Sequence, residues 1–306
     1  MKILVATEKP FAGQAIDGIE AVFKEAGYEL ALLENYKNSQ DLINAVAGAE
    51  ALIVRSDKVT KEVLDAGSNL KIVVRAGAGY DNVDLETSTQ KGVVVMNTPG
   101  QNSNAVAELA LGMMIYTARN FFNGTSGTEL KGKKLGIFAC GNIGKNIAGI
   151  ARGFNMEVYG FDPFLERTVM EYAGMQCTAS PDELFSQCNY ISLNAPVAEQ
   201  TKKTVNFRLL EMMPEPATLV NTARKELVDE DSLLRMFAER PDFKYISDIA
   251  PDCSAEIAEK YPGRFFFTPK KMGAQTSEAN VNAGIAAAKQ IVGFFEHGDK
   301  TCQVNS

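Results

Sequence analysis

The segment LGIFACGNIGKNIAGIARGFNMEVYGFD, Leu135–Asp162, decides the fold. Leu135 to Phe138 is a short apolar run with the character of a buried strand, and a glycine turn follows at Gly141 and Gly144. An amphipathic pattern then predicts a helix to about Phe154, opened by Asn142 and Ile143, and Glu157 to Phe161 reads as a second strand ending on Asp162. Strand, glycine turn, helix, strand and acid in that order describe a dinucleotide-binding unit. Gly141 lets the backbone approach a pyrophosphate, Gly144 lets the helix pack close to the strand, and the helix N-terminus offers free N–H groups to the phosphates. Asp162 lies 21 residues beyond Gly141, where a carboxylate bonds both ribose hydroxyls and repels a 2′-phosphate, so NAD is expected rather than NADP. The first glycine of the G-x-G-x-x-G pattern is replaced by Ala139, a residue that resists positive φ.

The bulk numbers narrow the class. At 306 residues the chain suits two domains. Its 45% hydrophobic and 23% charged content is that of a soluble globular protein. A net charge of −7 argues against nucleic acid or an anionic membrane as the main partner, while leaving room for a small anion in a local basic pocket. The N-terminal run MKILVATEKPF is too short for a signal peptide, and no stretch approaches the roughly 18 apolar residues of a membrane span. Five scattered cysteines, Cys140, Cys177, Cys188, Cys253 and Cys302, form no C-x-x-C pair. They suggest reduced thiols in a cytoplasmic protein and no metal site.

Outward from the central segment the alternation of strand and helix continues. Before it, Ile3–Ala6, Ala51–Val54, Lys71–Arg75 and Val93–Met96 read as strands, with helices over Gly13–Glu25, Gln40–Ala47 and Leu85–Gln90. Pro99 and Gly100 break the chain ahead of a long helix, Asn102–Arg119, with an apolar face at Val106, Leu109, Ala110, Met113 and Met114. After it, Ser180 and Glu183 form a capping-box signature. Tyr190–Leu193, Thr218–Asn221 and Tyr245–Ile249 read as strands, Asp229–Glu239 and Ser277–His297 as helices, and Gly298 as a C-cap. The expected architecture is α/β, with two doubly wound, Rossmann-like parallel-sheet domains and a ligand cleft between them. The expected boundaries are 1–98 with 277–306 for one flavodoxin-like domain and 99–276 for the dinucleotide-binding domain.

Six blocks then become recognisable: VRSDK (54–58), RAGAGYDNVD (75–84), NTPGQNSNAVAEL (97–109), the glycine segment, NTARKELVDE (221–230) and TPKKMGAQT (268–276). Together they resemble the D-2-hydroxyacid dehydrogenase family over nearly the whole chain, and are most similar to members that oxidise D-3-phosphoglycerate. The resemblance implies an NAD-dependent enzyme acting on a small anionic 2-hydroxy or 2-keto acid, with the first domain binding substrate. It implies a homodimer held partly by the long helix. The chain ends soon after its last helix, which on this resemblance implies a short form with no appended regulatory domain.

Such an enzyme must hold a carboxylate, pass a hydride between C2 and the nicotinamide, and move the hydroxyl proton. Arg224, in NTAR, matches the family's catalytic arginine, whose planar fork suits a carboxylate. The family's proton carrier is a histidine in a T-P-H-x-G-G block. Here the only histidine is His297, at a helix end where it complements the helix dipole. The block instead carries Lys270 and Lys271. Counting back from Gly273 and Ala274 aligns Lys271 with the histidine; counting forward from Pro269 aligns Lys270. Lys271 is preferred, with a pKa lowered by burial and by Arg224. At the helper glutamate's position stands Cys253, and Asp252 is the nearest acid to partner the lysine, Glu256 fitting less well.

By the same resemblance the cofactor meets Ala78, Gly141, Asn142, Ile143, Gly144, Asp162, Ala195, Pro196, Thr222, Ala223, Asp248 and Gly273, with Asp248 at the nicotinamide amide. The substrate meets Arg55, Ser56, Gly77, Ala78, Gly79, Asn102 and Arg224, the glycine turn serving as an anion nest. Arg55 and Lys58, with Lys9, are candidates for a phosphate contact, and Arg75 is expected to support its loop. Two other readings stay open: a hydroxypyruvate, glyoxylate or similar D-2-hydroxyacid reductase, and a non-catalytic NAD-sensing binding protein.

Overall fold

The structure, a computed structural model, describes residues 1–305. It divides into two compact units, Met1–Asn102 with Ala274 to the C-terminal end, and Ser103–Gly273. These seams lie a few residues from the boundaries expected at 98/99 and 276/277.

In the first unit, β1 (Lys2–Thr7), α1 (Gly13–Glu25), β2 (Glu29–Glu34), α2 (Ser39–Val46), β3 (Ala51–Val54), α3 (Lys61–Ala66), β4 (Ile72–Arg75), α4 (Leu85–Gln90) and β5 (Val94–Asn97) alternate strictly. The sheet order is β2-β1-β3-β4-β5, and every pairing is parallel. Helices on both faces explain the near-continuous apolar runs: Ile3, Val5, Ile53 and Val74 are fully buried. The C-terminal helix, Ser277–His297, adds Ala283, Ala287, Ala288 and Ile291 to that core. It stops where Gly298 turns left-handed at φ 67°, as the sequence predicts. The strand at Glu29–Glu34 and the helix at Lys61–Ala66 are additions to the sequence reading.

The second unit opens with α5 (Ser103–Ala118), followed by β6 (Lys134–Phe138), α6 (Asn142–Gly153), β7 (Glu157–Phe161), α7 (Arg167–Tyr172), β8 (Gln176–Cys177), α8 (Pro181–Gln187) and β9 (Tyr190–Leu193). It continues with α9 (Phe207–Glu211), β10 (Thr218–Asn221), α10 (Glu230–Glu239), β11 (Lys244–Ser247), α11 (Ser254–Lys260) and β12 (Phe265–Phe267). All seven strands run parallel in the order β12-β11-β10-β9-β6-β7-β8. The order reverses between β6 and β9, and the loops leaving the strands there flank a topological switch point, where α/β sheets bind ligands. β11 ends two residues earlier than expected. The Ser247 hydroxyl donates to the Asn221 carbonyl at 2.7 Å and the Ile249 N–H returns to that hydroxyl at 3.2 Å, folding the chain away from the ladder. Among the described residues no helix is long and apolar enough to cross a membrane.

Candidate active site

The loop after β6 has the geometry a dinucleotide needs. Ala139 takes φ 71°, the left-handed conformation normally left to glycine, so the missing glycine is replaced at a cost in strain and not by a different loop. A Cβ on Gly144 would stand 2.7 Å from the Ala139 carbonyl oxygen and 2.9 Å from Ile137 Cγ2, so α6 seats against β6 only because that position has no side chain. A Cβ on Gly141 would meet nothing within 4 Å, leaving the backbone at the helix start open to approach. Asp162, at the end of β7, accepts the Cys140 N–H at 2.9 Å and the Phe164 N–H at 2.9 Å. Its carboxylate is thereby fixed beside the glycine loop. Asn142 and Ile143 form the first turn of α6, and buried Ala195 with exposed Pro196 follows β9 across the switch point. An open glycine cradle, a helix N-terminus and an anchored carboxylate fit a dinucleotide, with the carboxylate placed for ribose hydroxyls.

A second cluster is built from the loops after β10 and β11 and the chain following β12. Asn221, fully buried at the end of β10, accepts the Ala223 N–H at 3.0 Å and donates to the Arg224 carbonyl at 2.9 Å and to the Tyr245 hydroxyl at 3.2 Å. It shapes the turn that presents Thr222, Ala223 and Arg224. The Lys271 ammonium donates to the carbonyls of Thr222 (3.2 Å) and Ala223 (2.9 Å) and to Asp248 Oδ1 (3.0 Å). Arg224 Nη1 also donates to the Ala223 carbonyl, at 3.0 Å. Two cations thus share one backbone oxygen. Asp248 is fully buried, and its other oxygen accepts the Gly273 N–H at 2.9 Å. A Cβ on Gly273 would collide with that oxygen. The Lys271 side chain is 39% exposed; its partial burial pushes its pKa below the ordinary lysine range, Asp248 pulls it back up, and Arg224 pushes it further down. The Thr222 hydroxyl is buried with no hydrogen-bond partner among the described residues.

The expected partnership of Asp252 with Lys271 is corrected. Asp252 pairs with Lys225, and its side chain is 79% exposed. The acid that meets Lys271 is Asp248, because β11 ends pointing at the lysine whereas residues 252 and 253 have already turned away. Glu230, at the start of α10, holds that turn by accepting the N–H groups of Asp252 and Cys253 at 2.9 and 2.8 Å. Lys270 is exposed, its carbonyl capped by the Thr268 hydroxyl.

In the first unit the expected substrate residues leave the C-terminal edge of its sheet. Arg55, after β3, donates to the carbonyls of Lys9 and Pro10, both at 3.1 Å, and to Asn280 Oδ1 at 2.6 Å. It also lies 5.0 Å over the Phe11 ring, and burial lowers its pKa. Ser56 is exposed beside it. Arg75 donates to the Arg55 carbonyl at 2.9 Å and packs under Gly77, whose φ of 149° and lack of Cβ admit the guanidinium. Ala78 accepts from Asn97 at 2.6 Å, Gly79 completes the turn, and Asn102 carries a buried Oδ1 without a partner among the described residues. Two organising residues escaped the sequence reading. Buried Asp57 accepts the N–H groups of Glu8 and Arg55 and the Tyr36 hydroxyl, and Asn82 donates to the carbonyls of Arg55 and Asp57. Both lie in the blocks at 54–58 and 75–84, and their polar side chains amid apolar strand ends were the available signal.

Comparison with known proteins bears on all of this geometry. A family model described as D-isomer specific 2-hydroxyacid dehydrogenase, catalytic domain, matches residues 12–305. A solved structure of an NAD+-bound 3-phosphoglycerate dehydrogenase from Entamoeba histolytica is similar across 100% of this chain and 99% of its own, with 46% identity and a TM-score of 0.88. D-3-phosphoglycerate dehydrogenase of Methanocaldococcus jannaschii is 33% identical over 270 residues, 82% of this chain but 51% of the relative, so this chain spans about half that protein's length. Hydroxypyruvate reductase of Thermotoga maritima is 33% identical over 287 residues, 86% of this chain and 90% of the relative. With a family model covering almost every described residue, the chain belongs to the D-isomer specific 2-hydroxyacid dehydrogenases.

Proposed function

We propose that the chain is an NAD-dependent phosphoglycerate dehydrogenase, oxidising D-3-phosphoglycerate to 3-phosphohydroxypyruvate, the entry to serine synthesis. The observation that carries the chemistry is the pair of cations on the Ala223 carbonyl, Lys271 and Arg224, at the C-terminal edge of the sheet. Arg224 holds the substrate carboxylate and polarises the C2 oxygen. Lys271 exchanges the hydroxyl proton. As an ammonium it has three hydrogens and three acceptors; as an amine it keeps two N–H groups and gains a lone pair for the substrate hydroxyl. Proton uptake returns it to a site that Asp248 is charged to receive. Bound NAD supplies the hydride acceptor. Asp162, Asn142, Ile143 and Gly144 hold it, with Ala195, Pro196, Thr222, Ala223 and Gly273 along its path. Arg55 is the proposed phosphate contact, with Ser56, the Gly77–Gly79 turn and Asn102 on the substrate.

The likeness to a phosphoglycerate dehydrogenase over the full chain supports the phosphorylated substrate. A second reading, hydroxypyruvate reductase, is favoured by the Thermotoga relative, which is matched over 90% of its length. NADH oxidation with 3-phosphohydroxypyruvate, hydroxypyruvate, glyoxylate and pyruvate in parallel separates the two. The proposal expects a kcat/KM advantage of about 100-fold, or roughly 2.7 kcal/mol, for the phosphorylated acid. Preference for an unphosphorylated acid would replace it with the reductase. A homodimer goes with this reading; a sedimentation mass near the single-chain 33.2 kDa would refute it.

A further inference from the structure

The second unit has a cavity at the edge of its sheet opposite the dinucleotide loops, where β6, β9, β10 and β11 begin and α5 ends. It measures about 100 Å³. One water needs only about 10–15 Å³ of such space, so there is room for several waters or one small polyatomic ion. Its wall is mostly apolar, with two lysines, one carboxylate and several hydroxyls set into it. Lys244 reaches only the Thr117 carbonyl, at 3.4 Å, among the described residues, and burial lowers its pKa. Lys133 also lines the cavity, with no ion pair among the described residues. Thr117 is 1% exposed, and its Oγ1 has no partner there. Thr128 and Tyr190 also line the cavity, their side chains hydrogen-bonded to each other. The carboxylate on the wall, Asp242, is already taken: Arg240 holds both its oxygens at 2.8 Å, and the Ala217 N–H donates to one at 3.1 Å.

We propose that this cavity binds a small oxyanion of phosphate size between Lys244 and Lys133. A half-buried ammonium without a counter-charge is costly, and an anion held by two ammoniums and neighbouring hydroxyls removes that cost. The carbonyls at the α5 C-terminus oppose an anion, and Lys244 already answers one of them. The site is separate from the Arg224 cluster, which lies at the other edge of the same sheet.

The test uses the full chain and inorganic phosphate, with sodium chloride at matched ionic strength to remove general screening. Thermal unfolding midpoints are followed against phosphate concentration for the wild type, Lys244→Met, Lys244→Arg and Arg55→Gln, Arg55 being the phosphate contact proposed for the substrate. The expected result is a saturable rise in the wild type that persists in Lys244→Arg and Arg55→Gln. Lys244→Met is expected to weaken phosphate at least tenfold. Should that variant not unfold cooperatively, Lys133→Gln is expected to show the same weakening. No phosphate-specific rise, a rise lost with Arg55 instead of Lys244, or one untouched in Lys244→Met would overturn the proposal. The last outcome would leave Lys244 as a cap on α5.

Discussion

Lys271 is held by as many acceptors as it has hydrogens, and proton transfer requires giving one up. The longest of the three contacts, 3.2 Å to the Thr222 carbonyl, is the one a substrate hydroxyl most readily replaces. Burial sets the lysine's pKa below the ordinary range, so the neutral base is reached at lower pH than on an exposed lysine. The sign follows: oxidation of the hydroxy acid needs the amine and rises with pH through the lowered pKa, while reduction needs the ammonium and falls over the same interval. Lys271→Met is expected to lower kcat/KM by about 10²–10⁴-fold, the usual range for general acid–base catalysis, and to remove that alkaline limb. A variant with the limb intact would move the proton to another group. Ala139 offers a simpler test. An L-residue at φ 71° carries roughly 1–2 kcal/mol of strain, and glycine forfeits about 0.4–1 kcal/mol through its freer unfolded chain. Ala139→Gly is therefore expected to raise unfolding stability by about 0.5–1 kcal/mol in denaturant titration. A loss of stability would mean that the Ala139 methyl makes contacts worth more than the strain.

Elements with a clear period and a cap were legible in the sequence, and those made by their neighbours were not. Ser180 accepts the Glu183 N–H, the cap read from the residues alone, while the Glu183 carboxylate reaches back one residue further than a capping box requires, to the Ala179 N–H. By contrast, β2 is ELALLE, built from helix-forming residues, and it is a strand because β1 offers it a ladder from Lys2 to Thr7. β12 has only three residues, and α3 six, too few for a period to show. Lys271 lay in a block that the sequence singled out and Asp248 among the expected cofactor residues, but their pairing was not legible, since strand direction and not sequence distance decides which acid a lysine meets. The C-terminal tail went unread for the same reason. Asn305 accepts the Val95 N–H at 2.7 Å and donates to the Val93 carbonyl at 2.9 Å, so one side chain takes the place of a strand along β5. The adjacent Val304 N–H donates to the Val95 carbonyl at 2.8 Å. Edge strands need such cover. Asn305→Ala leaves two backbone groups without partners and is expected to cost about 1–3 kcal/mol, read from the denaturant midpoint. An unchanged midpoint would show that water replaces the tail freely.

At the scale of the whole molecule the chain carries a net charge of −7, and its two units each have their own sheet and core. The residues proposed to hold the dinucleotide's phosphates and ribose, from Gly141 to Asp162, belong to the unit 103–273. Ligand binding stabilises the body that carries the site, by about 2.7 kcal/mol at a hundred times Kd. For a body of this size each kcal/mol raises Tm by about 2–4 °C, so saturating NADH is expected to raise it by about 5–10 °C. NADPH at the same concentration is expected to do almost nothing. Its 2′-phosphate would enter beside the Asp162 carboxylate, which the Cys140 and Phe164 N–H groups hold in place and which cannot swing aside without leaving both unpaired. Asp162→Asn removes the charge while keeping an oxygen for the glycine loop's Cys140 N–H, and should bring the two shifts within a few degrees of each other. If calorimetry shows a single transition, all of it should move with NADH; if it shows two, one should move and the other stay. Equal shifts for NADH and NADPH in the wild type would mean that Asp162 is not the ribose contact and that the choice of cofactor is made elsewhere.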